Sequence, residues 1–320
     1  MTRYTKPHLS FADQVSLLKS RGLIIDDEAE AEHLLSVIGY YRLSGYWYSY
    51  RRQLGGAQRD DLFAEGASFR QVVRLYNADR RLKLAVLDAI GRIEIAVRVQ
   101  IGFTLGRRGP YAHLSPGNLD GQFTRSRSPQ PSTYDRWLGT VLAAQTRSSE
   151  DFVLHFQRKY DGRLPVWVVT EILDFGSMSY LFQGLKAADR NVIARRLGVL
   201  AHQGGGNGAA LANWLRVLNY VRNICAHHSR LWNRNLANQI APSHLGAIPD
   251  LRHLRSGGVS HFRIYSTLCI LAFLLTRIGH GPGWARNIRH FVGEEIPACG
   301  RDLDELGFPA DWTAHRPWTA

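Results

Sequence analysis

The stretch that decides the fold is FRQVVRLYNADRRLKLAVLDAIGRIEIAVRVQIGFTLGR, which runs from Phe69 to Arg107. Its apolar residues recur at three- and four-residue steps, as side chains on one face of an α-helix do. The pattern therefore predicts a helix over 69–107. Because this is long for a globular helix, we expect a bend near Asn77. Glu94 and Arg98 lie four residues apart and are predicted to form an intrahelical ion pair.

Helical patterns continue on both sides of this segment and predict an all-α multi-helix bundle with a small N-terminal helical subdomain. Ser10 is a candidate N-cap for a first helix that stops at Gly22. Further helices are predicted over 26–39, 134–145, 150–160, 165–185 (with Pro165 in its first turn) and 209–232, with apolar segments around 262–278 and 284–296. The predicted domains are an N-terminal subdomain (1–60), the bundle (61–300) and a C-terminal tail (301–320).

Three other stretches are irregular in pattern. Residues 40–52 hold six aromatic side chains, which suit a short strand, a helix end or an aromatic plug, with core packing favoured over base stacking. Residues 107–135 are rich in Gly, Pro and Ser and contain Arg107, Arg108, Arg125 and Arg127. They form either a basic RNA-contacting loop or a tolerated insertion. The glycines of QGGGNG, 203–208, predict a flexible hinge.

Composition points to a polyanionic partner. Of the 320 residues, 40 are basic and 27 acidic, so the formal net charge is +13 and the simplest partner is nucleic acid. The three cysteines are widely spaced, which argues against disulfides or a cysteine zinc site and favours a reducing cytoplasm. We find no secretory signal pattern at the N-terminus. The longest apolar run, 266–278, is too short for a membrane span and predicts a buried helix.

The segment NYVRNICAHHSRLWNR, 219–234, concentrates groups that suit phosphate chemistry. On a helix Asn223 and His227 share a face, and the long side chain of Arg222 can reach toward the imidazole near a helix end. Histidine exchanges a proton near neutral pH, and arginine offers a planar fork to phosphate oxygens. Together with a polar orienting group, they can cleave RNA without metal. The 2′-hydroxyl would attack and leave a 2′,3′-cyclic phosphate and a 5′-hydroxyl.

An Arg-x4-His spacing alone is a weak signal, because the chain contains three. Arg3/His8 lies at the terminus, and Arg108/His113 spans a Gly-Pro turn. Only Arg222/His227 falls in a strongly helical pattern with Asn directly after the Arg. The alternative is an ordinary helix that buries Ile224 and Cys225 and exposes Arg222 and His228.

Other chemistries find less support. There is no His-Glu-x-x-His for zinc, no Gly-x-Ser-x-Gly for a serine hydrolase, and QGGGNG lacks the strand and the lysine of a phosphate loop. Glu171 and Asp174 flank one helix face. They either line a cleft or are carboxylates that are solvated or interact with the dipole at a helix N-terminus, and the second role is favoured. No cofactor or metal is predicted.

The wider sequence resembles the abortive-infection Abi proteins of the AbiD/AbiF type, which belong to the HEPN superfamily. Five blocks carry the resemblance in the family's order: KPHLSFADQVSLLKSRGLII, IGYYRLSGYWYSYR, LYNADRRLKLAVLDAIGRIEIAVRVQI, KYDGRLPVWVVTEILDFGSMSYLF and LNYVRNICAHHSRLWNR. One departure is Asn77-Ala78-Asp79, where the family commonly has Phe-Asp.

The resemblance implies an all-α, HEPN-like multi-helix bundle that acts as a metal-independent endoribonuclease of phage defence or of a toxin–antitoxin system. It assigns Arg222, Asn223 and His227 to catalysis, and RNA binding or support to His228, Arg230, Asn233 and Arg234, in a basic-aromatic continuation that also includes Trp232. It also implies a homodimer with a composite site, since one chain supplies one such histidine whereas acid and base roles want two groups. The alternative is a non-catalytic RNA-binding or interaction partner, such as a binder of a small noncoding RNA. A cytoplasmic location and no membrane association are expected.

Overall fold

The computed structural model describes residues 3, 5, 7–56, 58–126, 129–245, 247–256 and 258–319. Over these residues the chain is mainly α-helical with a two-stranded sheet, which confirms the all-α class. It divides into two compact units, Met1–Lys83 with Phe291–Leu303, and Leu84–His290 with Asp304–Ala320. These limits differ from the predicted domains 1–60, 61–300 and 301–320, because segments distant in sequence pack into the same unit.

The first unit begins with three helices and a hairpin: α1 (Phe11–Ser20), α2 (Glu28–Ile38), α3 (Tyr40–Trp47), β1 (Arg51–Gly55) and β2 (Gln58–Phe63). Ser10 caps α1 in a capping box with Asp13, as predicted. The aromatic stretch is helical, and Tyr46 and Trp47 are buried, so its interpretation as core packing is confirmed. The two antiparallel strands were missed because most of their side chains are exposed and show no alternation.

Helix α4 (Phe69–Gly106) is the predicted long helix, and it continues unbroken through Asn77. Its residues up to Lys83 belong to the first unit and the remainder to the second. In the first part, Asp79 is buried and accepts a hydrogen bond from the Tyr46 hydroxyl at 2.7 Å. The Lys83 ammonium lies 3.0 Å from the same carboxylate. The aspartate of the family's usual Phe-Asp is therefore present in this chain as Asp79, which is buried and paired with a cation.

The second unit holds most of the remaining helices: α5 (Gly121–Thr124), α6 (Thr133–Arg147), α7 (Asp151–Lys159), α8 (Val166–Ile172), α9 (Phe175–Gly184), α10 (Ala187–Arg196), α11 (Gly208–Ala226), α12 (Tyr265–Arg277) and α13 (Gly283–Glu295), whose last residues belong to the first unit. Helix α11 packs against α9, α10 and α12. The apolar run of α12 is buried along its length, as predicted for a core helix.

Three expectations about this unit need correction. The segment 165–185 forms two helices rather than one, since Asp174 caps a new helix with its carboxylate on the amide of Ser177 at 2.6 Å. Pro165 is the residue before the first of them. Residues 107–135 include short helical turns and the buried Phe123 instead of one open loop; Arg127 lies outside the described residues.

The predicted hinge at 203–208 is a packed connection. A Cβ on Gly206 would lie 1.8 Å from the backbone oxygen of Asn191 in α10, so only glycine allows this approach. The amide of Gly208 donates to the Asn191 side chain at 3.0 Å. The start of α11 is therefore fixed against α10, and the prediction of a flexible hinge is wrong.

Candidate functional site

The candidate site lies at the C-terminal end of α11. This helix begins after Asn207, whose side chain caps it, and buries apolar residues such as Trp214, Leu218 and Val221. It ends at Ala226, six residues before the predicted end at Trp232. The last turn thus belongs to a buried and well-anchored helix, which is a rigid support for a site.

The helix ends in a Schellman motif. The amide of His228 donates to the carbonyl of Cys225 at 3.1 Å, and the amide of Ser229 donates to the carbonyl of Ile224 at 3.0 Å. His228 holds the left-handed position of this motif, with φ of 55°. Histidine stands where glycine is usual, so the sequence carried no conventional stop signal and the helix end was predicted too late.

Arg222, Asn223 and His227 all lie at this helix end. Arg222 and Asn223 are half-buried in the last turn, and a guanidinium nitrogen of Arg222 lies 3.3 Å from the side-chain oxygen of Asn223. His227 is the C-cap residue, and its amide donates to the carbonyl of Asn223 at 3.0 Å. Its imidazole is exposed. The arrangement presents an oriented arginine fork and an accessible imidazole, the two groups that the predicted chemistry requires.

Backbone strain is concentrated beside this site. In the described part of the chain, the non-glycine residues with positive φ are Asp161, His228 and Asn233. Two of the three therefore flank the short segment that follows α11. Each costs free energy that the surrounding structure must offset, and such strain is frequent at functional sites.

The segment after the helix is anchored by its centre. Leu231 and Trp232 are buried, whereas Arg230 and Arg234 are half-buried. The side-chain nitrogen of Asn233 donates to the Glu305 carboxylate at 3.1 Å, and the backbone carbonyl of Asn233 accepts a hydrogen bond from Arg263. Trp232 and Asn233 therefore hold the segment in place, while His228, Arg230 and Arg234 retain surface next to the candidate site.

The other two Arg-x4-His pairs are not comparable sites. Arg3 and His8 lie in an irregular segment before α1. His113 is only 2% exposed, and burial lowers its pKa to about 4. Arg108 forms an ion pair with Asp189 at 2.6 Å. His113 thus lacks the access to solvent that a histidine acting on a large substrate needs.

A support that the sequence analysis missed connects α4 to the vicinity of the site. Arg98 pairs with Glu94, as predicted, and also donates to the backbone carbonyls of Thr170, Glu171 and Leu173 at 2.6–2.9 Å. These hydrogen bonds satisfy carbonyls at the C-terminal end of α8, and Asp174 then caps the start of α9. Asp174 thus stands at the N-terminus of a helix, one of the roles predicted for it. Glu171 is exposed.

Helix α9 in turn approaches α11 through Gly176. A Cβ there would lie 3.4 Å from the side-chain nitrogen of Asn219. Asn219 precedes Arg222 and Asn223 by three and four residues, so all three share one face of α11. That spacing was the available signal for including Asn219 in the site.

The described residues include no group of three or more His, Cys, Asp or Glu side chains arranged to hold a metal ion. None of the helices described is both long enough and apolar enough to cross a membrane. The three cysteines, all described, are buried and form no disulfide.

The fold and the helix-end site define an all-α protein with an Arg-Asn-x3-His constellation. The family model of the Abi-like proteins matches residues 33–233, well over half of the chain. The chain therefore belongs to the Abi-like protein family, which points to abortive-infection phage defence and confirms the resemblance at that level. Neither the curated proteins nor the solved structures include a significant match.

Proposed function

We propose that the chain is a metal-independent endoribonuclease of the HEPN type that acts in abortive-infection phage defence or as a toxin. The observation that carries the proposal is the placement of Arg222, Asn223 and the exposed imidazole of His227 on the last turn and cap of α11. The net charge of +13 supports RNA as the substrate.

The proposed reaction is a transfer within the RNA strand. The 2′-oxygen forms a bond to phosphorus while the bond from phosphorus to the 5′-oxygen breaks. One histidine accepts the 2′-hydroxyl proton, and a second gives a proton to the leaving 5′-oxygen. Arg222 stabilises the charge that builds on the phosphoryl oxygens, and Asn223 orients the guanidinium.

Two histidines acting together are best supplied by a homodimer. Each copy contributes one His227, so a two-fold axis beside the end of α11 would place two equivalent sets in one composite site. A cytoplasmic location remains a prediction that accompanies this function.

The experiment that tests the proposal is cleavage of end-labelled single-stranded RNA and tRNA in EDTA. We expect wild type to leave 2′,3′-cyclic phosphate ends, and Arg222→Ala and His227→Ala each to lower the rate ~100-fold or more. Arg216→Ala, an exposed arginine earlier on α11, and His202→Ala, an exposed histidine before the helix, are the matched controls and should retain activity.

Each alternative gives a different result. Salt-dependent RNA binding without cleavage would favour the non-catalytic RNA-binding partner, for instance a binder of a small noncoding RNA. Cleavage that survives His227→Ala would assign the chemistry to another site. Cleavage that requires a divalent metal would contradict the proposed mechanism.

A further inference from the structure

A pocket of about 370 Å³ lies between α6 and the start of α9, within the second unit. Its α6 wall is formed by Thr133, Arg136 and Thr140, which recur at helical spacing on one face. Its α9 wall includes Asp174, Gly176 and Tyr180. We refer to it as the Tyr180 pocket. Its volume falls within the range typical of small-ligand sites.

The Tyr180 pocket is built on rigid supports. The indole nitrogen of the buried Trp137 donates to the carbonyl of Ser177 at 2.9 Å, which joins α6 to α9 at the floor. Asp174 is held by the amide of Ser177. A guanidinium nitrogen of Arg136 lies 3.2 Å from the Thr133 hydroxyl, so the arginine is oriented along the α6 wall.

The chemistry of the walls suits one unpaired nucleotide. Tyr180 is 55% exposed and offers an aromatic face on which a base can stack. Arg136 is exposed and, among the described residues, is in no ion pair, so its charge is available to a phosphate. Asp174 would repel a phosphate, but its carboxylate accepts hydrogen bonds from the amino or imino groups of a base.

The position of the pocket links it to the candidate cleavage site. Gly176 forms part of the pocket wall, and a Cβ at this position would lie 3.4 Å from the side-chain nitrogen of Asn219, which places Asn219 beside the pocket. From Asn219 to Arg222 and Asn223 is about 5 to 6 Å along the axis of α11. One nucleotide of an extended strand spans a step of this size, so one strand can place a base in the pocket and a phosphate at Arg222.

We propose that the Tyr180 pocket is a base-binding subsite for single-stranded RNA, adjacent to the phosphate that Arg222 contacts. Tyr180 stacks on the base, Asp174 reads its hydrogen-bond donors and Arg136 holds the neighbouring phosphate. The inference rests on the proposed function for its substrate class, since RNA is the polyanion assigned there. It adds a specificity-determining element that the Arg-x4-His motif does not contain.

The test is binding of fluorescein-labelled 2′-O-methyl RNA nonamers of A, C and U to the full chain in EDTA. These strands lack the 2′-hydroxyl nucleophile, so binding is measured whether or not the chain cleaves RNA. We expect Tyr180→Ala and Arg136→Gln each to weaken binding about tenfold, whereas Tyr180→Phe retains it within about twofold. Asp174→Asn keeps the helix cap and should change the order of preference among the three bases.

Two exposed residues outside the pocket provide matched controls. Arg147 lies three turns after Arg136 on nearly the same face of α6, and Tyr41 is 91% exposed on α3. Arg147→Gln and Tyr41→Ala should leave binding within about twofold of wild type. Circular dichroism and the melting temperature verify that every variant is folded.

Other results would overturn the subsite. Equal binding by the Tyr180→Ala, Arg136→Gln and control variants would mean that only diffuse charge attracts RNA and that the pocket takes something else, such as a protein partner. A wild-type chain that binds none of the strands would also refute it. A chain that binds through the pocket but cleaves no unmodified RNA would contradict the proposed nuclease while leaving the subsite intact.

Discussion

At the scale of single residues, His113 is a buried histidine beside Trp137, which lines the Tyr180 pocket. It is 2% exposed, and its ring lies 6.5 Å from that of Trp137 in an edge-on arrangement. Burial lowers its pKa from 6.5 to about 4. The folded chain therefore packs the neutral imidazole of His113 against Trp137 of α6.

This burial predicts a loss of stability in mild acid. Between pH 6.5 and about 4 the unfolded chain binds a proton on this residue and the folded chain does not. The free energy of unfolding should therefore fall as pH drops through that window, with His113 contributing about 2 kcal/mol of the loss by pH 5. Urea unfolding at pH 7.5, 6 and 5 measures it.

A variant isolates this contribution from other titrating groups. His113→Gln cannot bind the proton, so its unfolding free energy should fall less steeply from pH 7.5 to 5 than that of wild type, even though it starts lower. His202→Gln, at an exposed position, should follow the wild-type slope. Parallel slopes for wild type and His113→Gln would show that the folded chain accommodates the charged imidazole.

At the scale of secondary-structure elements, the connection from α10 to α11 fixes the orientation of the helix that carries the site. Gly206 contacts the backbone of α10, and the amide of Asn207 donates to the carbonyl of Val199 at 2.8 Å. At the neighbouring Gly205, no atom lies within 4 Å of the position that an added Cβ would occupy. Two adjacent glycines thus have different roles.

We expect Gly206→Ala to lower the free energy of unfolding by about 3 kcal/mol, because the new methyl group must displace backbone atoms of Asn191 or Arg195. Gly205→Ala should change it by less than about 1 kcal/mol, in the stabilising direction, since it only restricts the unfolded chain. Denaturant unfolding of both variants measures the difference. Equal effects would indicate that the connection moves freely, as the glycine-rich sequence had suggested.

The elements that were predicted well are those specified by local sequence. The N-cap at Ser10, the ion pair of Glu94 with Arg98 and the apolar periodicity of α4 all depend on residues within one or two turns. Each is visible in the sequence because its partners are neighbours along the chain.

The elements that were missed depend on partners that are distant in sequence or lack the usual residue signal. The break before α9 relies on Arg98, more than seventy positions upstream, which binds the last carbonyls of α8. The packing of Gly206 relies on α10, and α11 ends at a histidine rather than a glycine. The Arg222–His227 pair was identifiable from spacing and resemblance, and Asn219 from its place three and four residues before Arg222 and Asn223, whereas the Tyr180 pocket required the packing of α6 against α9.

At the scale of the whole molecule, an apolar stripe on α4 is exposed. Ile95, Val99 and Phe103 recur every four residues and are 63%, 54% and 59% exposed. Val99 and Phe103 also border a mostly apolar depression beside Trp167, which is 47% exposed. A patch of this kind on a helix that otherwise carries charges is typical of an interface.

A second copy of the chain is the partner expected on this stripe. The proposed chemistry needs two histidines and each chain offers one at the end of α11, so the site is incomplete without a partner copy. The stripe is connected to the candidate site through α8 and α9. Trp167 and Thr170 of α8 border the depression beside the stripe, and Arg98 binds the end of α8. Gly176 of α9 adjoins Asn219.

We therefore predict that Val99→Glu converts a wild-type dimer into a monomer, because a charge on each copy would be buried against its equivalent. Size-exclusion chromatography with light scattering measures the mass, and cleavage of end-labelled RNA should fall together with it. Val37→Glu introduces the same change at an exposed apolar residue of α2, 64% exposed, and should leave mass and activity unchanged. If the Val99→Glu variant is still a dimer, the interface lies on another face. If it is a monomer with full activity, one His227 suffices for both proton transfers.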